Sequence, residues 1–237
     1  MQIWAHRGAS ARQPENTIAA FTAAMGPGVD GIELDVQLSS DGVPVVIHDE
    51  KVDRTHDGTG WVASHTLAEL QAMRSLQTKK PDPLTTRIPT LAEVLDLLAA
   101  GDQLINLELK NSVKAYKAME SKVLQMIAER KLNDRVVLSS FNHYSLQRLR
   151  DKGWTGELAA IHDGMLREPW RYFRDLDVQA VHPTRHVLMV PGYVTRAHRA
   201  GFKLRVWTVN KAVQRHRCER LGVDGIFTDV IKPPPNW

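Results

Sequence analysis

Cysteine is almost missing. Cys218 is the single cysteine in 237 residues, so no intrachain disulfide can form and nothing points to an oxidising compartment. It falls in a helical pattern and reads as a packing residue, not a nucleophile. No apolar run approaches the ~20 residues of a membrane-spanning helix. A polar motif begins by His6, too early for the charged and apolar regions of a signal peptide. A cytoplasmic protein without membrane insertion is therefore expected. Net charge is only +4 and scattered. No Lys/Arg run forms a basic arm, which argues against nucleic acid; a mildly basic balance would help to attract anionic substrates. Internal repeats, low-complexity stretches and an independent second domain are absent too. No Gly-x-Gly-x-x-Gly follows the first strand-like run, which weakens an open doubly wound sheet.

What is present is an ordinary globular composition, 43% hydrophobic and 24% charged, arranged as short apolar runs alternating with helical patterns. Strands are predicted over 2–5, 31–36, 103–110, 136–139, 157–161, 180–182, 203–209 and 225–228. Helices are predicted over 17–25, 91–99, 114–130, 144–151, 191–200 and 212–220. Gly101, Gly153, Gly201 and Gly222 stand where left-handed helix stops belong, and Thr66–Glu69 and Thr90–Glu93 read as capping boxes. Eight strands with intervening helices predict a (β/α)8 barrel, a size such folds reach as one domain. His6, Asp35, Lys110, Ser140, His162, His182, Thr208 and Asp229 fall at strand C-terminal ends, where barrel active sites are built. Residues 49–88 interrupt the rhythm and need a small structure or function of their own. The Pro233-Pro234-Pro235 tail should be extended.

The chemistry concentrates in the first half. In Gly31-Ile32-Glu33-Leu34-Asp35-Val36 the strand period puts both carboxylates on one face and the apolar residues on the other. Like charges so close need a cation or protons between them. Asn106, Glu108 and Lys110 repeat the alternation against Ile105, Leu107 and Leu109. Glu33, Asp35 and Glu108 together suit one hard divalent ion, Mg²⁺ or Ca²⁺, with Mn²⁺ as a further option; surface carboxylates on edge strands are the plainer alternative. His6 and His48 are candidate proton carriers. Arg7 and Lys110 are candidate phosphate contacts, or salt-bridge partners of the carboxylates, or both. Asn16 or Thr17 can cap a helix. Asp49 and Arg54 look structural, and Trp207 on its own reads as core.

The order His6-Arg7-Gly8, Pro14-Glu15-Asn16-Thr17, Glu33-x-Asp35, His48-Asp49, Asp53-Arg54-Thr55 with Gly58-x-Gly60, Glu108-x-Lys110, Ser139-Ser140-Phe141, Val206-Trp207-Thr208-Val209-Asn210 and Gly222-Val223-Asp224-Gly225 through Asp229 resembles the glycerophosphodiester phosphodiesterases. The likeness runs from Ile3 to about Asp229 and is that of a short, single-domain bacterial-type member. Val52 and His56 depart from common family choices without touching the inferred chemistry. The resemblance implies a metal-dependent hydrolase that releases glycerol 3-phosphate and an alcohol from glycerophosphodiesters, and the mostly polar 49–88 segment favours small soluble ones. It makes His6 and His48 the acid/base pair, without settling which is the base. It places Trp207, and more weakly Phe141, beside the substrate, and gives Glu15, with Asn16, a supporting role around the site. It also implies that residues 49–88 are an insertion over the barrel mouth. Two alternatives remain open: a related barrel phosphodiesterase acting on lysophospholipids or phosphoinositides, and a non-catalytic glycerophosphodiester-binding protein.

Overall fold

In the computed structural model, which describes residues 1–231, the strands in chain order are β1 (Gln2–Ala5), β2 (Gly31–Leu38), β3 (Pro44–Val46), β4 (Leu104–Leu109), β5 (Val136–Ser140), β6 (Leu158–His162), β7 (Ala180–Pro183), β8 (Lys203–Val206) and β9 (Gly225–Thr228). All except β3 run parallel, and β1 pairs with both β2 and β9, so eight strands close a barrel. This is the (β/α)8 architecture that the sequence predicts. The helices are α1 (Ile18–Ala24), α2 (Leu67–Ala72), α3 (Leu91–Ala99), α4 (Met119–Glu129), α5 (His143–Asp151), α6 (Pro169–Asp175), α7 (Tyr193–Arg199) and α8 (Ala212–Leu221). The Pro233–Pro235 tail lies outside the described residues.

Alternation builds the layers. Ile32, Leu34 and Val36 of β2 join the main core beneath the helices, with Leu107 and Leu109 of β4 and Leu91, Leu95 and Leu98 of α3. The inward positions form a second cluster of Trp4, Val137, Ala159, Ala180 and Phe227. Below it Arg205, 1% exposed, stacks over Trp4 at 5.0 Å and pairs with Glu157. The interior is thus filled at its floor, and polar side chains are left for the mouth. Thr66 and Thr90 both close true capping boxes with Glu69 and Glu93.

Several expectations need correction. The antiparallel β3, paired with β2 as Val36↔Val46, is missing from the sequence reading; three residues opened by proline carry no alternation to detect. Helix α6 is missed as well, being short and without a side-chain cap. The helix expected from 114 starts only at Met119, because the left-handed Ala118 (φ 60°) breaks the helical backbone just before it; Tyr116, in the non-helical stretch, donates its hydroxyl to Gln37 Oε1 at 2.9 Å. The strand expected to 209 stops at Val206; Trp207 then turns to bridge Thr184. Gly153, Gly201 and Gly222 are left-handed, but Gly101 is not.

Residues 49–88 fold around their own core of Val52, Val62, Leu70 and Ile88, shared with Val45 and Ile47 beside β3.

Gly31 starts β2 directly against Trp4, and a Cβ there would overlap the indole. Gly31→Ala should therefore cost about 1–3 kcal/mol through overpacking of the barrel floor, read as a lowered denaturant midpoint at unchanged slope. An unchanged midpoint would show that Trp4 can move aside.

Candidate active site

The mouth is assembled from loops that tight turns aim inward. After β1 the chain makes two successive left-handed residues, Arg7 (φ 58°) and Gly8 (φ 78°). A Cβ on Gly8 would lie 2.7 Å from the Ala20 carbonyl carbon, so glycine is required by both conformation and space. The turn points the Arg7 backbone N–H at Glu33 Oε2, 2.8 Å away. Asn16 is also left-handed (φ 57°); its amide donates to Asp35 Oδ2 at 2.8 Å while its Oδ1 accepts from the Asp35 backbone N–H at 3.3 Å. Such strained residues persist only where the surroundings over-determine them. Thr17, rather than Asn16, caps α1.

Glu33, Asp35 and Glu108 present one oxygen each, all within 4.8 Å of one another. The register explains this: Asp35 pairs with Glu108 across β2 and β4, one step beyond Glu33 with Asn106. Asp35 Oδ1 is buried without a hydrogen-bond partner among the described residues. Three hard oxygen donors around an unsatisfied carboxylate fit a divalent cation such as Mg²⁺ or Ca²⁺. Arg7 Nε stands 3.5 Å from Asp35 and Lys110 Nζ 3.0 Å from Glu108. Burial, then the repulsion of Asp35 and Glu108, pushes Glu33 well above the carboxylate range. Burial also raises Glu108, to about 7 despite Lys110. In Asp35 burial is outweighed by His48, Arg7 and Lys110, and its pKa falls.

Each candidate proton carrier has a carboxylate behind it. His6 Nδ1 donates to Asp229 Oδ1 at 2.7 Å, and His48 Nδ1 to Asp49 Oδ1 at 2.6 Å. On the other side, Lys110 Nζ lies 3.3 Å from His48 Nε2. Burial lowers the His48 pKa, against the pull of Asp35. A second tier locks this arrangement. Arg54 donates to both oxygens of Asp49 at 2.5 and 3.0 Å and to both of Glu15 at 2.9 and 2.7 Å. Glu15 also accepts from Arg7 Nη1 at 2.9 Å and Gln77 Nε2 at 3.1 Å. Against burial, these donors hold Glu15 down at about 2.

His6, Arg7, Glu33, His48, Glu108, Phe141 and Trp207 line one cavity of about 60 Å³. Asn106, Ile161, His182 and Phe227 complete the wall. Phe141 meets the Trp207 ring edge-on at 5.8 Å and lies under Lys110 Nζ at 5.8 Å. Trp207 Nε1 donates to His182 O at 2.8 Å. Glu15 and Asn16 stand behind the cavity wall, bonded to the arginines and to Asp35. The sequence reading misses Asp229 as the partner of His6 and treats Asp49 as structural only. His-Asp adjacency at 48–49 offers a signal for the second pair, but nothing local links His6 to a residue near the far end of the chain.

A (β/α)8 barrel with two histidine–carboxylate pairs, a carboxylate triad and two cations at its C-terminal mouth has the groups that metal-assisted hydrolysis of an anionic phosphate ester needs. The model of the glycerophosphoryl diester phosphodiesterase family matches residues 6–232. A glycerophosphodiester phosphodiesterase of Caldanaerobacter subterraneus subsp. tengcongensis is 41% identical, covering 96% of this chain and 93% of that protein; one of Bacillus altitudinis is 38% identical over 96% and 94%. Among solved structures, a phosphodiesterase of Oleispira antarctica in complex with the product sn-glycerol-3-phosphate superposes with TM-score 0.83, at 27% identity over 97% of this chain and 93% of that one. The chain belongs to the glycerophosphodiester phosphodiesterase family and is an enzyme of that class. No helix among the described residues is long and apolar enough to cross a membrane.

Glu108 gives a pH signature. Without divalent cations it keeps its proton up to about pH 7 in the folded chain, against the ordinary 4.5. A carboxyl with a raised folded pKa favours folding below the unfolded value, and that contribution is lost as pH rises through the folded one. In EDTA, Tm should therefore fall between about pH 4.5 and 7 more steeply for the natural chain than for Glu108→Gln. Parallel Tm profiles would remove Glu108 as the titrating group.

Proposed function

We propose that the enzyme hydrolyses glycerophosphodiesters, such as glycerophosphocholine or glycerophosphoethanolamine, to glycerol 3-phosphate and an alcohol, in a reaction that depends on a divalent cation and on His6 and His48 as acid and base. The observation that carries this reading is the paired dyad geometry, in which each imidazole is tied through Nδ1 to a carboxylate and both line the cavity beside the carboxylate triad. A cation held by Glu33, Asp35 and Glu108 supplies Lewis-acid polarisation of the phosphate when bound. Arg7 and Lys110 stabilise the charge that develops on phosphate oxygens. Trp207 and Phe141 form the wall against the glycerol end. Glu15 and Asn16 hold Arg7 and Asp35 in position. All of residues 1–237 act as one phosphodiesterase domain, in which 49–88 is an insertion over the mouth.

A glycerophosphodiester carries a hydroxyl next to its esterified carbon. Held in place, it attacks phosphorus with a large effective concentration. One histidine takes its proton as the new P–O bond forms; the other gives a proton to the departing alcohol as the old P–O bond breaks. Water then opens the resulting cyclic 1,2-phosphate with the two roles exchanged. His48 suits the base. Its Nδ1–H is committed to Asp49, and a lysine donor faces Nε2, the pattern of a neutral ring with its lone pair at Nε2.

Chelation should abolish turnover of glycerophosphocholine, and Mg²⁺, Ca²⁺ or Mn²⁺ should restore it. The same ions should raise Tm, and Glu33→Ala or Asp35→Ala should erase that rise. Full activity after exhaustive demetallation would overturn the cation's role.

His6→Ala and His48→Ala should each lower kcat at least ~10²-fold, whereas His198→Ala, far from the cavity and bonded to Asp224, should not. A substrate lacking the neighbouring glycerol hydroxyl should bind yet turn over very slowly. Equal turnover of that analogue would exclude the cyclic route and leave direct attack by water.

A further inference from the structure

From Val178 to Cys218 the chain contains no aspartate or glutamate, yet it holds eight of the 31 Lys and Arg residues. That excess is larger than the net +4 of the whole protein, so the charge belongs to one sector of the barrel, from β7 into α8, where Glu219 is the first carboxylate. Lys203 and Arg205 are matched by Glu157, and Arg215 by Glu219. Arg185, Arg196, Arg199, Lys211 and Arg217 have no carboxylate partner among the described residues. Scattered cations hide this patch from a search for basic runs; the missing anions mark it.

The turn Arg185–Met189 and helix α8 enclose a groove of about 230 Å³ in this sector, lined by Arg185, His186, Leu188, Met189, Gln214 and Arg217. Arg217 is held at its edge, donating from Nη2 to Leu188 O at 3.0 Å. The Arg185 backbone N–H donates to Trp207 O at 2.9 Å, so the groove adjoins the mouth of the active-site cavity. Two apolar side chains stand beside it in water: Met189 is 67% exposed, and Val213, next to Gln214, 73%. Two arginines lining one groove suit a phosphate. Uncovered apolar side chains within a cationic surface ask for the boundary between headgroups and acyl chains. A free phosphate would satisfy the first request and leave the second unmet.

We propose that this sector docks the enzyme on an anionic lipid surface, with one lipid phosphate seated between Arg185 and Arg217. The docking stands apart from the catalytic reading. Joined to it, it places the mouth where substrate arises, since a glycerophosphodiester is a phospholipid stripped of its acyl chains and deacylation at that surface supplies it.

The test is co-sedimentation of the full chain with vesicles of phosphatidylcholine alone or mixed with phosphatidylglycerol, at low and high salt. Binding to the mixed vesicles only, released by salt, is expected. Arg185→Ala and Arg217→Ala should each weaken it about fivefold, the usual effect of one cation at an anionic membrane, and Met189→Ser should weaken it further. Lys131→Ala, which removes the same charge at the opposite end of the barrel, should not. Thermal unfolding checks that each variant is folded, and turnover of soluble glycerophosphocholine separates docking from catalysis. Equal binding to both vesicle types would overturn the proposal, as would an equal loss in Lys131→Ala. Saturable binding of inorganic phosphate or an oligonucleotide without vesicle binding would also overturn it.

Discussion

Three carboxylates, Glu33 and Asp35 buried and Glu108 half-buried, bring one oxygen each within 4.8 Å of one another, and the mouth is organised around that constraint. Removing a carboxylate from water costs several kcal/mol even after relaxation, and here the three also repel. The nearest fixed cations are Arg7 and Lys110, two charges against three. The raised pKa of Glu33 and Glu108 shows how the cation-free protein would settle the imbalance, by keeping protons. A divalent ion would settle it without them. The left-handed backbone at Arg7 and Asn16 belongs to the same account: only in that conformation do the Arg7 N–H and the Asn16 amide reach Glu33 and Asp35. Local strain is exchanged for donors where charge must be held.

The 49–88 segment reaches the site through Asp49, Arg54 and Gln77, and Arg54 joins the most partners. Arg54 grips Asp49 and Glu15 at once, and these two carboxylates touch His48 and Arg7 respectively. His48 and Arg7, the proposed proton carrier and phosphate contact, are thereby fixed to one guanidinium. Arginine suits the task because its planar fork can bind two carboxylates in fixed directions, which an ammonium cannot. The small core of Val52, Val62, Leu70 and Ile88 keeps the fork in place.

The readability of this protein from its sequence follows how local each interaction is. Glu33 and Asp35 were legible because alternation within one strand states which face each occupies. Thr66 and Thr90 were legible because a capping box lies within four residues. Asp229 escaped because its partner His6 lies across the seam where β9 meets β1, 223 residues away. The false start of α4 is akin: residues 114–118 have helical composition, but Ala118 is left-handed and Tyr116 bonds to Gln37, 79 residues away. Barrel closure makes such contacts, and no window along the chain contains them.

The two ends of the barrel interior solve opposite problems. At the floor, Arg205 and Glu157 pair under a tryptophan that fills the space, with Gly31 and Gly225 giving it room. That charge is satisfied within the protein, so the floor asks for nothing. At the mouth, among the described residues, Asp35 keeps an oxygen with no partner and the carboxylates outnumber their cations. The same fold thus separates a closed electrostatic account from an open one, and only the open end can gain by binding. The rigid floor matters to that gain. Side chains pre-set by packing from below need not be reorganised when ligands arrive, which is the condition under which buried dipoles and charges stabilise a transition state more than water does.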